Sequence, residues 1–495
     1  MLWFGYIYYI IFNFMLVSFS LFILRLYSLN SISKTNLISF LNKTFLSFIL
    51  YLFMVMFMVL NSLLNYYHDL LFVSVDVSDI CITLLSTYSI GNMVKTGAVT
   101  LNIVQVYYYP FIYVFILITL LSVLFCLSYN KDEFISFIFY CKLILLSGYI
   151  LFFTNSLILF FLFYEMLLIP SFFILYKFAK TRRCVEAAYL MFFWTQFGAL
   201  FLIFALLYIF YICGTSYFSL ISYFHFSNFE VNFIFICVII GFGVKLPIWP
   251  FYGWLPKAHV EASTNFSIFL SGVLVKFAFF GLLKILLTIQ LEPTFIYIYP
   301  FLVIGIVDAV FKLFYQIDLK KLVAYSTVVE MHWLTICVVS GQSNLMLASF
   351  CMLISHALLS TNSFLLVDAV ARRFKSRLIT EINGVNFMCP KLFMAILVNT
   401  LIFLGFPGSI FFVSEFLFFS FMFDLFPLLS LFLLVFLYLF GPTFFLRSWM
   451  NLMFGYPTTL NSNLPQDLNS RELLLFTGTP FLMYWLGVSW QSFLV

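Results

Sequence analysis

Apolar runs of roughly 20 residues recur along the chain, separated by short loops that hold most of its charge. Runs of that length cross a bilayer as α-helices, and hydropathy places about 14 of them. They lie near 3–28, 40–66, 104–128, 133–152, 155–177, 186–213, 230–253, 265–288, 296–315, 321–340, 346–370, 390–418, 425–447 and 473–490. Residues 67–103, with His68, Asp69, Asp76, Asp79 and Lys95, form a longer polar stretch after the second span. Barrel strands would alternate in short segments, and these runs do not. The expected fold class is an all-α polytopic membrane protein.

Four spans break the apolar rule. The fifth carries Glu165 near its middle, with Pro170 soon after. The seventh reads NFIFICVIIGFGVKLPIWPF, where Gly241, Gly243, Pro247 and Pro250 bracket Lys245. The eighth holds Lys276 about ten residues inside, and the twelfth holds Gly405, Pro407 and Gly408 followed by Glu415. A charge at mid-membrane depth costs at least about 2.5 kcal/mol, so it normally faces a protein interior and marks an ion path. Proline removes a helical hydrogen bond, and in lipid the freed carbonyls need neighbours or water. A broken helix with a charge at the break therefore lines a hydrated cavity. The seventh and twelfth spans, five apart in order and both interrupted by Gly and Pro, resemble corresponding positions of an internal repeat, where transporters built from inverted repeats place their ion sites. Two acids and two bases on separate spans suit a proton relay. Three alternatives stay open: a structural ion pair for Glu165, an interfacial position for Lys276 and a solvent-facing one for Glu415.

Composition adds class and orientation. The chain is 64% hydrophobic and only 9% charged, and its 72 Phe and 30 Tyr exceed any packing need. Such a surplus points to AT-rich coding, as in an organelle genome. Most Lys and Arg fall in alternate loops: Arg25, Lys34 and Lys43; Lys131; Lys177, Lys180, Arg182 and Arg183; Lys257; Lys312, Lys320 and Lys321; Arg372, Arg373, Lys375, Arg377 and Lys391; Arg447 and Arg471. The opposite loops offer Lys95, while Lys142, Lys245, Lys276 and Lys284 lie inside spans. One missed span would scramble that asymmetry. The positive-inside rule puts the basic loops on the insertion side and both termini on the other face. The net charge of +5 thus reflects topology, and no nucleic-acid partner is expected. The N-terminal MLWFGYIYYIIFNF has neither transit- nor signal-peptide character. Nine scattered Cys, without CxxC or Cys/His spacing, read as small buried hydrophobes, and no metal, haem or iron–sulfur centre is expected.

YEMLLIP (164–170), GFGVKLPIWPFYGWLPKAHVEAST (241–264), GVLVKFAFFGLLK (272–284), QIDLKKLVAYSTV (316–328), LISHALLS (353–360) and GFPGSIFFVSEF (405–416) carry a further signal. From about 130 to 455 the chain resembles the antiporter-like membrane subunits of respiratory complex I. That resemblance implies two inverted five-helix repeats with broken helices 7 and 12. The segments would be 1–130 (N-terminal helices and polar loop), 131–289 and 290–447 (the repeats) and 448–495 (a loop and the last helix). It implies a proton relay through Glu165, Lys245, Lys276 and Glu415, with Glu330 and His356 as possible connecting members. Glu415 discriminates among branches, because sister subunits usually carry Lys there.

The same resemblance implies a mitochondrial inner-membrane subunit with basic loops toward the matrix and both termini toward the intermembrane space. Its partners would be other membrane-arm subunits, including sister antiporter-like subunits, and membrane lipids. NADH, FMN, iron–sulfur clusters and ubiquinone would belong to partner subunits, with no cofactor on this chain. A stand-alone cation/proton antiporter and a passive scaffold are the competing readings. The family pattern has His where this chain has Glu330, and it has Pro where this chain has Ser263. Asp308 and Lys142 match no family role, His332 stands two residues after Glu330, and Lys312 is expected at a membrane edge.

Overall fold

A computed structural model describes residues 131–178, 181–289, 296–455 and 466–489, together with Phe115 and Ile118. The first two predicted spans and the polar stretch 67–103 lie outside the described residues. So does the third span, apart from Phe115 and Ile118. Every span expected from residue 133 onward corresponds to a helix or to helices joined at a break. The helices are α1 (Lys131–Phe153), α2 (Leu157–Met166), α3 (Leu168–Lys177), α4 (Arg182–Cys213), α5 (Asn228–Lys245) and α6 (Trp254–Glu261). They continue with α7 (Thr264–Phe269), α8 (Val275–Thr288), α9 (Tyr299–Phe314), α10 (Leu319–Val339) and α11 (Ser343–Phe374). Last come α12 (Pro390–Phe403), α13 (Ile410–Leu425), α14 (Pro427–Met453) and α15 (Ser470–Val488). Among the described residues, eight stretches are long and apolar enough to cross a membrane, and two further apolar helices are shorter.

Local chemistry sets the ends and the breaks. Pro170 has no N–H to give the Met166 carbonyl, and the helix steps at Leu167 between α2 and α3. After Lys245 the chain leaves helical geometry through Pro247 and Pro250, then resumes at α6. At position 263 the serine starts α7 by accepting the Phe266 N–H, the N-capping that its hydroxyl permits. The expected twelfth span is two helices. Leu404–Ser409 separates them, Gly405 and Gly408 take φ of 70° and 91°, and Ser409 caps α13. Gly405 is doubly constrained. A Cβ would sit in the left-handed region and meet Glu415 Oε2 at 2.5 Å.

Burial separates centre from edge. The apolar window of α11 is 100% buried, and those of α7–α8 and α10 are each 94% buried, against 31% for α14. The two central stretches α10 and α11 pack together, α4 packs on α5, and α11 packs on α13. The basic loops meet at one end of the bundle. Arg377 donates to Val260 O at 3.0 Å and pairs with Asp318 at 2.8 Å, while Lys320 donates to Ala262 O. Arg373 ties the end of α11 to Glu472 and to the Gln466 carbonyl before α15. This grouping is what alternate basic loops require.

Candidate functional site: a buried line of ionisable groups

Glu165 is the last residue but one of α2, beside the step that Pro170 causes. Lys245 is the last residue of α5, where the negative end of the helix dipole favours a cation. Its Nζ donates to Tyr164 O at 3.0 Å, lies 3.4 Å from the Tyr164 ring centroid and stands 3.8 Å from Glu165 Oε1. That separation makes a loose ion pair rather than a locked one. Glu165 Oε2 accepts from Gln196 Nε2 of α4 at 2.8 Å. A cavity of about 30 Å³ adjoins Lys245, with Ser171, Thr195, Leu270 and Leu274 in its lining. Space of that size holds one or two waters.

Lys276 is wholly buried on α8, just past a π-turn at Leu270–Leu274. Such turns expose a carbonyl inside a helix and recur at functional sites. Here Lys276 Nζ donates to Ser271 O and lies 2.5 Å from His356 Nδ1 of α11. The other ring nitrogen, His356 Nε2, faces Glu330 Oε2 of α10 at 3.6 Å. Glu330 and Glu415 both line a second cavity, of about 50 Å³, enclosed by residues of α9 to α14. At its far side Tyr438 donates to Glu415 Oε2 at 2.8 Å. The six residues singled out in the sequence thus fall into two buried runs. The first run is Glu165–Lys245, and the second is Lys276–His356–Glu330–cavity–Glu415.

Other expectations change. Lys320, placed in a loop by sequence, is buried because the α6–α7 joint folds over it. Lys312 pairs with Asp308 at 2.8 Å across one helical turn, and Tyr252 donates to the same carboxylate. These contacts explain Asp308 and leave Lys312 half-exposed. His332 accepts the Trp249 N–H at 2.9 Å through Nε2, and its Nδ1 lies 2.8 Å from Val328 O. Both ring nitrogens are engaged with backbone, so His332 holds the break after Lys245 against α10. Gln196 and Tyr438 went unnoticed in the sequence. The first was visible as a lone amide in an apolar run, whereas the second was one Tyr among 30. Among the described residues, no cluster of three His, Cys, Asp or Glu is placed to hold a metal ion.

The family model described as NADH:quinone oxidoreductase/Mrp antiporter, TM, matches residues 154–441, a range that contains all six residues. The chain belongs to this family. NADH-ubiquinone oxidoreductase chain 4 of Paramecium tetraurelia is 37% identical over 334 residues, covering 67% of this chain and 70% of the relative. Chain 4 of Marchantia polymorpha is 33% identical and covers 74% of each. The structure resembles a chain of respiratory complex I from Thermus thermophilus with bound NADH. That match has a TM-score of 0.67 at 22% identity, covering 78% of this chain and 82% of the other. A chain of the Mrp complex from Dietzia sp. also gives 0.67, at 16% identity and the same coverage. The antiporter-like fold expected for this family is therefore present.

Proposed function

We propose that this chain is a proton-translocating membrane-arm subunit of NADH:ubiquinone oxidoreductase, moving protons along the buried line from Glu165 to Glu415. The single observation that carries this reading is the continuity of the second run. Lys276, His356 and Glu330 follow one another at 2.5 and 3.6 Å, and Glu330 opens into the cavity that reaches Glu415. An apolar core needs no such series, because each buried ionisable group is costly unless paired. The chain 4 relatives, at 37% and 33% identity, favour this reading over a stand-alone antiporter. The Mrp likeness is one of fold.

In this mechanism Glu165 sets the charge on Lys245. While the carboxylate is near, the ammonium is favoured; when it withdraws or is neutralised, Lys245 releases its proton toward Lys276. The 3.8 Å separation suits a pair that opens and closes. His356 and Glu330 then carry the proton to the cavity, and Glu415 passes it onward. Moving one charge against 100 mV takes about 2.3 kcal/mol. That energy comes from the redox chemistry of partner subunits, which hold NADH, FMN, iron–sulfur clusters and ubiquinone. Residues 131–289 and 290–447 serve as two inverted repeats, each carrying half of the line. In the mitochondrial inner membrane the basic loops face the matrix and both termini face the intermembrane space. Partners are sister antiporter-like subunits and lipid.

Glu165→Gln keeps the Gln196 contact and the side-chain volume while removing the charge. In assembled complex it is expected to lower NADH:ubiquinone turnover and proton pumping together, by about threefold to tenfold, corresponding to roughly 0.7–1.4 kcal/mol. Normal turnover with an unchanged proton-to-electron ratio would contradict the role of Glu165.

A further inference from the structure

The last helix contributes no member to the line, yet it holds the backbone that carries Glu415. α15 packs on α12 before the break at Leu404–Ser409, on α13 after it, and on α11 beside both. Two fastenings of different chemistry fix it there. The first is a chain of polar side chains inside the bundle. Thr479 donates to Asn362 Oδ1 at 3.0 Å, Asn362 Nδ2 donates to Asn399 Oδ1 at 2.9 Å, and Asn399 Nδ2 donates to Ser363 Oγ at 2.9 Å. Ser363 donates in turn to Leu359 O at 2.8 Å. All four side chains are buried. Hydrogen bonds of this kind hold membrane helices together, because a buried polar atom that loses its partner finds no other. The chain thus ties α15 to α11 and α12.

The second fastening is a backbone contact at the break itself. Gly487 lies further along α15, and a Cβ there would meet Gly408 O at 2.2 Å, Ser409 C at 2.5 Å and Ile410 N at 2.6 Å. All three are backbone atoms, which cannot swing aside as the end of a side chain can. Only glycine lets the helix and the break approach so closely. Tyr484, on the same helix, lies over Gly408, its Cδ1 3.8 Å from the Cβ position there. Ser409 accepts the Phe412 N–H at 3.2 Å and so starts α13, which carries Glu415 in its second turn. The residues that Gly487 touches are therefore the ones that aim α13. Glu415 depends on that aim to meet the Tyr438 hydroxyl at 2.8 Å.

We propose that α15 is a brace with Gly487 as its positioning residue: its contact with Gly408, Ser409 and Ile410 fixes the course of the α12–α13 break and so holds the Glu415 carboxylate between Gly405 and the Tyr438 hydroxyl. Glycines in the break permit many courses, and the brace selects one of them. This rests on the proposed path through Glu415, to which Gly487 adds neither a charge nor a proton. A reacting group misplaced by about 1 Å can lose about 10²-fold in rate, so one methyl group at this contact reaches the proton transfer.

The test is a double-mutant cycle in assembled complex, read as coupled NADH:ubiquinone turnover. Gly487→Ala presses on the three backbone atoms at the break and is expected to lower turnover about threefold. Thr479→Val keeps the side-chain shape, removes the hydroxyl of the first fastening and is expected to lower turnover about twofold. Each is then combined with Glu415→Gln. A residue that acts through Glu415 adds nothing once that carboxyl is gone, whereas general damage to the bundle multiplies with it. Both double variants are therefore expected to turn over at the rate of Glu415→Gln alone. Full turnover in the single variants, or double variants slowed by the same factors as the single ones, would overturn the brace. If Gly487→Ala does not assemble, the Thr479→Val pair decides by the same comparison. Glu415→Gln at full turnover would instead overturn the path on which the brace rests.

Discussion

Complex carrying Lys276→Met is expected to lose coupled NADH:ubiquinone turnover by about tenfold or more while still assembling. Methionine matches the lysine stem in length and apolar volume, so the packing of α8 against α11 survives. What disappears is the one group on α8 that touches both the freed Ser271 carbonyl and His356 Nδ1. A positioned proton-transfer group contributes about 10²–10⁴-fold to the step that uses it. The expected loss lies at or below the low end of that range because other subunits share the load. NADH oxidation and membrane potential, measured on complex shown intact by native electrophoresis, check this. Full turnover in Lys276→Met would remove the link between the two runs.

Glu415→Gln is the second large effect. Glu415 ends the line, is buried on α13, and takes the Tyr438 hydroxyl at 2.8 Å. Glutamine preserves the hydrogen bond and the fit against Gly405 but cannot accept and release a proton at neutral pH. Coupled turnover is expected to fall about fivefold to tenfold, close to 1–1.4 kcal/mol in the barrier. Glu330→Gln is expected to cost less, because glutamine keeps a polar group between His356 and the cavity and water can bridge across it. The pair of rates in otherwise identical complexes checks the order. A larger loss at Glu330 than at Glu415 would place the end of the path at Glu330.

Much of this was legible in the chain itself. The spans from 133 onward could be read because apolar length is nearly the whole code for a membrane helix. Proline and glycine beside Lys245 and Glu415 marked the breaks for the same reason: backbone chemistry is local. Glu165, Lys276 and Glu415 stood out because charge within an apolar run is rare, whereas Glu330 and His356 came from the family resemblance. Distances were not legible. Nothing in LISHALLS says that His356 meets Lys276, since the contact is made by two helices 80 positions apart. His332, two residues from Glu330, was no less suggestive, yet its backbone partners occupy both nitrogens. Lys320 read as a loop residue because the DLKK motif looks polar, and only the fold of the α6–α7 joint buries it. The break in the twelfth span was expected from Gly405, Pro407 and Gly408, but its course was not, since glycines permit a break without fixing its angle.

The most direct measurement is the proton-to-electron ratio, with NADH:ubiquinone turnover, in assembled complex carrying Lys245→Ala. Lys245 sits at the broken end of α5 beside Glu165 and the cavity, near the start of the proposed path. Loss of coupled turnover, together with a lowered ratio in the activity that remains, is the expected result. Normal turnover at a normal ratio would mean that the buried charges hold the bundle together and that protons cross elsewhere.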